Sequence, residues 1–152
     1  MSDYLQTTID KFTFRVAKDR YYVADGMWIL PIRFQSTQRV RVGVTDFFQQ
    51  HNGDVAFANV KAEGTTIAAG DELAELETMK VNVGLPSPLA GTVIEINEVL
   101  ELTPEIVNQD PYDRGWLAVM EATDWDADRA KLLDAAAYLA VMQTQAEEEL
   151  KS

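Results

Sequence analysis

Leu73-Ala74-Glu75-Leu76-Glu77-Thr78-Met79-Lys80-Val81-Asn82-Val83 is the stretch on which the reading of this chain turns. Apolar residues run in at Leu73 and Leu76 and out at Val81 and Val83, the pattern of two short strands joined by a tight connection. Lys80 falls near the tip of that hairpin. A lysine there is exposed and open to a modifying enzyme, and its flexible stem makes a mobile tether. A lysine in mid-strand on a packed face would be hidden. Spacing alone leaves two readings open: an attachment point, or an ordinary solvated charge.

Glycines punctuate the sequence on both sides. Gly64, Gly70 and Gly91 are expected at sharp turns between very short strands. A unit repeats faintly, as Gly64-Thr65-Thr66-Ile67 and Gly91-Thr92-Val93-Ile94. Two such half-units are able to pair about a local twofold axis. Upstream, Tyr21-Tyr22-Val23, Met27-Trp28-Ile29 and Val40-Arg41-Val42-Gly43-Val44 read as strands, with Asp25-Gly26 as a turn that needs positive φ at glycine. Thr45 and Asp46 are candidate caps for a short helix ended by Gly53. Downstream, Thr103-Pro104-Glu105 reads as a helix start stopped early by Pro111, and Gly115 to Met120 as one more strand. From Asp126 to Leu150 the chain is rich in Ala, Leu, Glu and Lys without Gly or Pro. Leu132, Ala136, Leu139 and Met142 recur at helical spacing, which predicts one helix or two with a bend, packed on the sheet.

Composition bounds the function. The chain has 152 residues, ordinary apolar content and a formal net charge of −12. That length suits one domain with added segments. The acidity excludes a nucleic-acid surface, which needs clustered Lys and Arg, and suits electrostatic steering toward basic partners. Arg33, Arg39 and Arg41 form a local basic exception, read as a strand face or a docking spot. No signal-like segment opens the sequence and no run is long enough to cross a membrane, so a cytoplasmic location without membrane contact is expected. There is no cysteine, so any sulfur chemistry must come from a bound group.

Glu77-Thr78-Met79-Lys80-Val81, with Gly64 and Gly91 flanking, resembles the modified loop of lipoyl and biotinyl carrier domains. Val42-Gly43-Val44-Thr45-Asp46-Phe47 with Gly53-Asp54-Val55 resembles the early part of the glycine cleavage H protein family. Val107-Asn108-Gln109-Asp110-Pro111-Tyr112, Gly115-Trp116-Leu117 and Leu132 to Tyr138 resemble its later part. The resemblance covers roughly residues 19 to 140. It implies a mostly β (α+β) fold, a flattened barrel-sandwich hybrid with short helices and a C-terminal helical segment. The expected division is an N-terminal extension over 1–18, the lipoyl domain over 19–123 and the helical segment over 124–152. It also implies a non-catalytic carrier with lipoic acid in amide linkage on Lys80. Glu77, Thr78, Met79, Val81, Gly64 and Gly91 would shape the loop for a lipoate ligase or lipoyl transferase. A biotin carrier is the further alternative: Met79 fits a Met-Lys-Met pattern and Val81 does not.

Family resemblance also places two carboxylates beside an aminomethyl cargo. The matching positions here hold Met27 and Gly84, and Gly26 stands for a histidine. Two systems are therefore expected as hosts. One is a heterodisulfide-reductase-like sulfur oxidation complex, where the dithiol carries sulfur and needs no counter-ion. The other is the glycine cleavage P, T and L proteins, with Asp25, Glu75 or Glu77 as the compensating acid. The first is the leading expectation.

Other candidates read as structural. His51 sits at a helix end, where a cation suits the dipole, and has no second His or Cys for a metal. Asp124, Asp126 and Asp128 lack the glycine and late glutamate of a calcium loop and read as helix caps. Trp28, Trp116 and Trp125 read as core anchors, with Trp28 also a candidate wall for a groove holding the arm.

Overall fold

Alternating short strands fold here into antiparallel sheets because their side chains sort cleanly onto two faces. A computed structural model describes residues 3–151. Among them, β1 (Tyr4–Ile9) and β2 (Phe12–Ala17) form a two-stranded hairpin. A six-stranded sheet follows. It comprises β3 (Tyr21–Val23), β4 (Met27–Phe34), β5 (Thr37–Val44), β7 (Thr66–Ile67), β10 (Gly91–Ile96) and β11 (Ala118–Ala122), in the order β3-β4-β5-β11-β10-β7. A three-stranded sheet has the order β6-β8-β9, from Val55–Val60, Glu72–Thr78 and Asn82–Pro86. The helices are α1 (Asp46–Asn52), α2 (Val99–Leu102), α3 (Ile106–Gln109), α4 (Trp125–Arg129) and α5 (Ala135–Lys151).

The six- and three-stranded sheets enclose the main core, where Met27, Val42, Leu73, Leu76, Leu85 and Met120 are buried. This is the mostly β sandwich with a C-terminal helix that the sequence led one to expect. A second core holds Phe14, Val16, Tyr22, Trp28, Tyr138 and Met142. Met27 and Trp28 are neighbours on β4 and serve opposite cores, as strand alternation requires.

Several turns follow from single residues. Gly26 has φ of 97° and takes the tight turn before β4. Thr45 caps α1 by accepting a hydrogen bond from the Phe48 amide at 3.1 Å, a contribution of about 1 kcal/mol. Asp46 does not share that role. It accepts the Arg15 amide at 2.9 Å and so ties the N-terminal hairpin to α1. The repeated units do pair: Ile67 lies opposite Gly91 and Thr66 opposite Thr92, and the Gly64 amide donates to the Val93 carbonyl at 2.8 Å.

Four expectations need correction. Gly91 is not a turn residue; it lies within β10, flanked by β7 and β11. The strand read from Gly115 to Met120 begins at Ala118, since Gly115 packs under the carbonyls of Ile106 and Asp110. The C-terminal stripe is rotated: Ala135, Tyr138, Met142 and Ala146 are buried and Ala136 is exposed. Leu132 precedes α5 rather than lying on it. Of the three aspartates, Asp124 caps α4 by accepting the Ala127 amide, whereas Asp128 accepts the Ala90 amide at 2.9 Å and fastens α4 to the sheet.

Trp28 is fully buried and donates from Nε1 to the Pro111 carbonyl at 2.9 Å. It is a core anchor, and it does not line the cavities around α1. The Arg39 guanidinium meets Glu121 at 3.6 Å and that of Arg41 lies 4.9 Å from the Trp116 ring centroid. Arg39 and Arg41 of the basic cluster are thus engaged with neighbours on the same chain, and Arg33 is exposed.

Two buried tyrosines, Tyr138 on α5 and Tyr22 on β3, hold α5 to the body. Tyr138 shares a hydrogen bond with Thr45 at 2.9 Å and stacks on Tyr22 at 4.7 Å. Burial pushes the Tyr138 hydroxyl up from 10.0 to about 12, and burial raises Tyr22 and Tyr112 as well. A folded-state pKa above the unfolded one favours the protonated native form. Stability should therefore hold below pH 10 and fall as pH climbs past 10 through 12. Urea midpoints measured across that range should show the decline. Tyr138→Phe should make it shallower.

Candidate functional site at the Lys80 hairpin tip

The tip connects β8 to β9 through Met79, Lys80 and Val81. Thr78 organises it. Its hydroxyl oxygen accepts from the Lys80 amide at 3.2 Å and the Val81 amide at 3.0 Å, and donates to the Val81 carbonyl at 2.8 Å. The Met79 amide donates to the Asp54 carbonyl at 3.0 Å. The tip backbone is therefore pinned while its side chains stay outside. Met79 is 78% exposed and Val81 44% exposed, and Lys80 is exposed too.

The Lys80 stem lies along the end of α1. Gly53 ends that helix with φ of 86°. A Cβ at Gly53 would stand 3.7 Å from Lys80 Cδ and Cε, in ordinary contact, so the stem passes close beside the helix end. Lys80 Nζ donates to the His51 carbonyl at 3.3 Å. One hydrogen bond to a carbonyl, without an ion pair among the described residues, leaves this amine free to be acylated. Asn108 steadies the same spot. It donates to the Gly53 carbonyl at 2.9 Å and accepts the Val55 amide at 2.9 Å.

Thr78, Met79 and Val81 are thus brought together around Lys80. Glu77 is half-buried on β8 opposite Asn82. Gly64 and Gly91 lie at the other sheet instead, where the Gly64 amide donates to the Val93 carbonyl and Gly91 pairs with Ile67. Met27 is fully buried in the main core. A carboxylate there would be a desolvated charge costing several kcal/mol unless paired, about the scale that decides folding. At Gly84 a Cβ would come 2.8 Å from Glu72 Oε1, so the Glu72 carboxylate already holds that space.

Beside the tip runs an open groove of about 470 Å³ lined by Asp25, Phe48, His51, Asn52, Glu148 and Glu149, among others. His51 Nδ1 meets Glu149 at 2.8 Å. Asp25 is the one anticipated compensating acid found here; Glu75 faces Gly84 on the strands. Glu148, Glu149 and Asn108 were not anticipated. The acids sit on a run of Glu147 to Glu149 that reads as a solvated helix end.

Thr78→Val should loosen the tip without unfolding the protein. Losing the bridging hydroxyl costs about 1 kcal/mol of local order, which slows enzymatic attachment at Lys80 about fivefold. Attachment kinetics followed by intact mass would show it, with the thermal midpoint nearly unchanged.

A lysine held out on a pinned turn of a barrel-sandwich, beside an open groove, has the placement that a carrier of a covalent group requires. The comparisons specify the kind. The model of the glycine cleavage H-protein family matches residues 20–145. A glycine cleavage system H protein of Thermus thermophilus is 37% identical over 131 residues, 86% of this chain and 98% of that protein. That of Bacteroides thetaiotaomicron is 45% identical over 101 residues, 66% of this chain and 79% of that protein. The crystal structure of the Mycobacterium marinum H protein superposes with a TM-score of 0.73 at 31% identity, covering 82% of this chain and 97% of that one. The chain belongs to the glycine cleavage H-protein family. It is a non-catalytic lipoyl carrier, since members hold lipoate covalently on a lysine. That sets the biotin alternative aside. The comparisons give no support to sulfur oxidation as the host system. Among the described residues no helix is long and apolar enough to cross a membrane.

Proposed function

We propose that lipoate is joined to Lys80 Nζ by a lipoate ligase or lipoyl transferase and that the loaded chain serves the P, T and L proteins of a glycine cleavage system. The residues fit the group: an exposed amine, a pinned turn and an open groove alongside. Bound lipoate supplies a dithiol that accepts and releases a small cargo through sulfur. The chain's own part is to present that dithiol and hold its cargo between encounters. Tethering raises the local concentration at each partner.

The observation that carries this reading is the acidity of the groove. Asp25, Glu148 and Glu149 line it, so an aminomethyl cargo, cationic near neutral pH, meets carboxylates even though Met27 and Gly84 supply none. A charge-assisted hydrogen bond of this kind is worth about 1.5–3 kcal/mol.

Lipoylated protein mixed with P protein, glycine and labelled bicarbonate should exchange the label into glycine. The triple variant Asp25→Asn, Glu148→Gln, Glu149→Gln should release the aminomethyl group about tenfold faster, the ratio for about 1.4 kcal/mol. A lipoylated chain inert with P protein would instead favour the second reading, a sulfur-carrying dithiol for a heterodisulfide-reductase-like complex. Met27 and Gly84 are the observation behind that reading.

A further inference from the structure

One edge of the sandwich is left without a neighbouring strand. β6 is the outer strand of the three-stranded sheet, with β8 on one side and no strand on the other among the described residues. An antiparallel ladder bonds alternate residues to the partner strand and turns those between them outward. The Lys61 amide donates to the Leu73 carbonyl at 2.9 Å, and Asn59 faces Glu75 in the same register. Ala58 and Val60 therefore point their N–H and C=O groups away from β8. No hydrogen bond reaches those groups among the described residues. The regular edge begins here, after the bulge between Val55 and Phe57. Open strand edges are usually blunted by proline or charge, and Ala58-Asn59-Val60 carries neither.

A groove of about 420 Å³ runs along this edge, between β6 and α2. Its apolar lining is Ala58, Val60, Ile96 and Leu100, and its charged lining is Glu63, Glu98 and Glu101. None of the three carboxylates is in an ion pair among the described residues.

We infer that the β6 edge receives an extended, basic segment of a partner protein as an added strand. Backbone groups supply the pairing, and alternate side chains supply the selection. A strand added at about 4.8 Å turns successive side chains to opposite faces. Its apolar residues meet the apolar lining, while Lys or Arg at the positions between reach the glutamates. The net charge of −12 draws a basic partner from a distance and opposes a second copy of this chain at the same edge. The groove also lies away from the arm. Val60 pairs with Ala74, four residues along β8 from Thr78, which is about 13 Å at the rise of a strand. A partner held at this edge leaves the Lys80 tip clear, so the carrier stays docked while its arm is visited. The inference does not depend on what is attached to Lys80.

The probe is a capped hexapeptide of alternating lysine and valine, titrated into the full chain without lipoate and followed by amide NMR. The Ala58 and Val60 amides should shift, and their hydrogen exchange should slow about tenfold at saturation. A hexapeptide of alternating glutamate and valine should bind about tenfold more weakly. The lysine peptide N-methylated throughout should not bind, because it has no donor for the edge. Ala58→Pro removes one outward N–H at an edge position that tolerates proline, and should weaken the probe about tenfold. Glu98→Gln, Glu101→Gln leaves the edge intact and should weaken it about fivefold, with a flatter dependence on salt. Unmoved Ala58 and Val60 amides in the wild type, or equal binding of the N-methylated peptide, overturns the added strand. Equal binding of the glutamate peptide overturns the basic partner. Protection of the same amides by raising the protein concentration alone gives the edge to a second copy and overturns it as well.

Discussion

Lys80→Arg leaves the chain with no lipoyl group and no titratable thiol. The polypeptide has no cysteine, so every thiol found after attachment and mild reduction belongs to the arm. Wild type should give about two per chain and the variant none, against the two sulfurs of one dithiol. Arginine keeps the charge and the stem, but its guanidinium stays protonated and offers no amine to acylate. The fold should not notice. Lys80 is exposed, and its amine makes one hydrogen bond to a carbonyl, so the stability change should stay within about 0.5 kcal/mol. Thiol titration and peptide mass check the loss. Label persisting in Lys80→Arg would move the site to another lysine.

The tip was legible because its chemistry is local. Thr78, Met79, Lys80 and Val81 are consecutive, and a tight hairpin forces them together whatever the rest of the chain does. The Gly26 turn, the Thr45 cap and the Gly53 helix end were legible for the same reason: each is set by one residue's own dihedrals or side chain. What stayed hidden depends on distant contacts. Gly91 looks like any turn glycine in sequence; only the approach of the Glu121 carbonyl reveals a different need. The α5 stripe was misplaced by one residue at Ala136. Ala135 and Ala136 are alike in sequence, and the docking of Tyr138 on Tyr22 and Thr45 sets the rotation. Glu148 and Glu149 read as solvated charge, and nothing local says that the helix end folds back over His51. The short strands of residues 3–17 carry weak alternation, and β1 is covered by α5, a partner more than a hundred residues away.

That difference also bears on the cargo. Reading Met27 and Gly84 as missing acids treated the site as a list of positions. In the folded chain a groove can be charged from any element that borders it, and here α5 reaches it from the far end of the sequence. Absence of an acid at a matched position therefore weighs less than the field of the whole groove.

Gly91→Ala should be the most destabilising single methyl in the molecule's sheet region. Gly91 pairs with Ile67 on one side and Ala122 on the other. A Cβ built on it would lie 2.3 Å from the Glu121 carbonyl oxygen and 3.1 Å from its carbon. These are backbone atoms, so no rotamer change relieves the contact. Either β10 and β11 separate, losing ladder hydrogen bonds, or β10 shifts toward β7, which is two residues long and braced by the Gly64 turn. Overpacking in a rigid setting costs about 1–3 kcal/mol and more where backbone must move, so about 3 kcal/mol is expected. For a chain of this size that lowers Tm by about 10 °C. Gly64→Ala provides the contrast. Nothing lies within 4 Å of its Cβ position, and its penalty comes from φ of 87° alone, about 1 kcal/mol. Calorimetry of both variants decides the matter. Equal losses would mean that Gly91 matters for backbone freedom, as a turn residue does, and that the strand crossing can open without cost. A much larger loss at Gly91 would establish that this glycine is required by the closeness of two strands, and would tie the pairing of the repeated half-units directly to the stability of the sandwich that holds Lys80 in place.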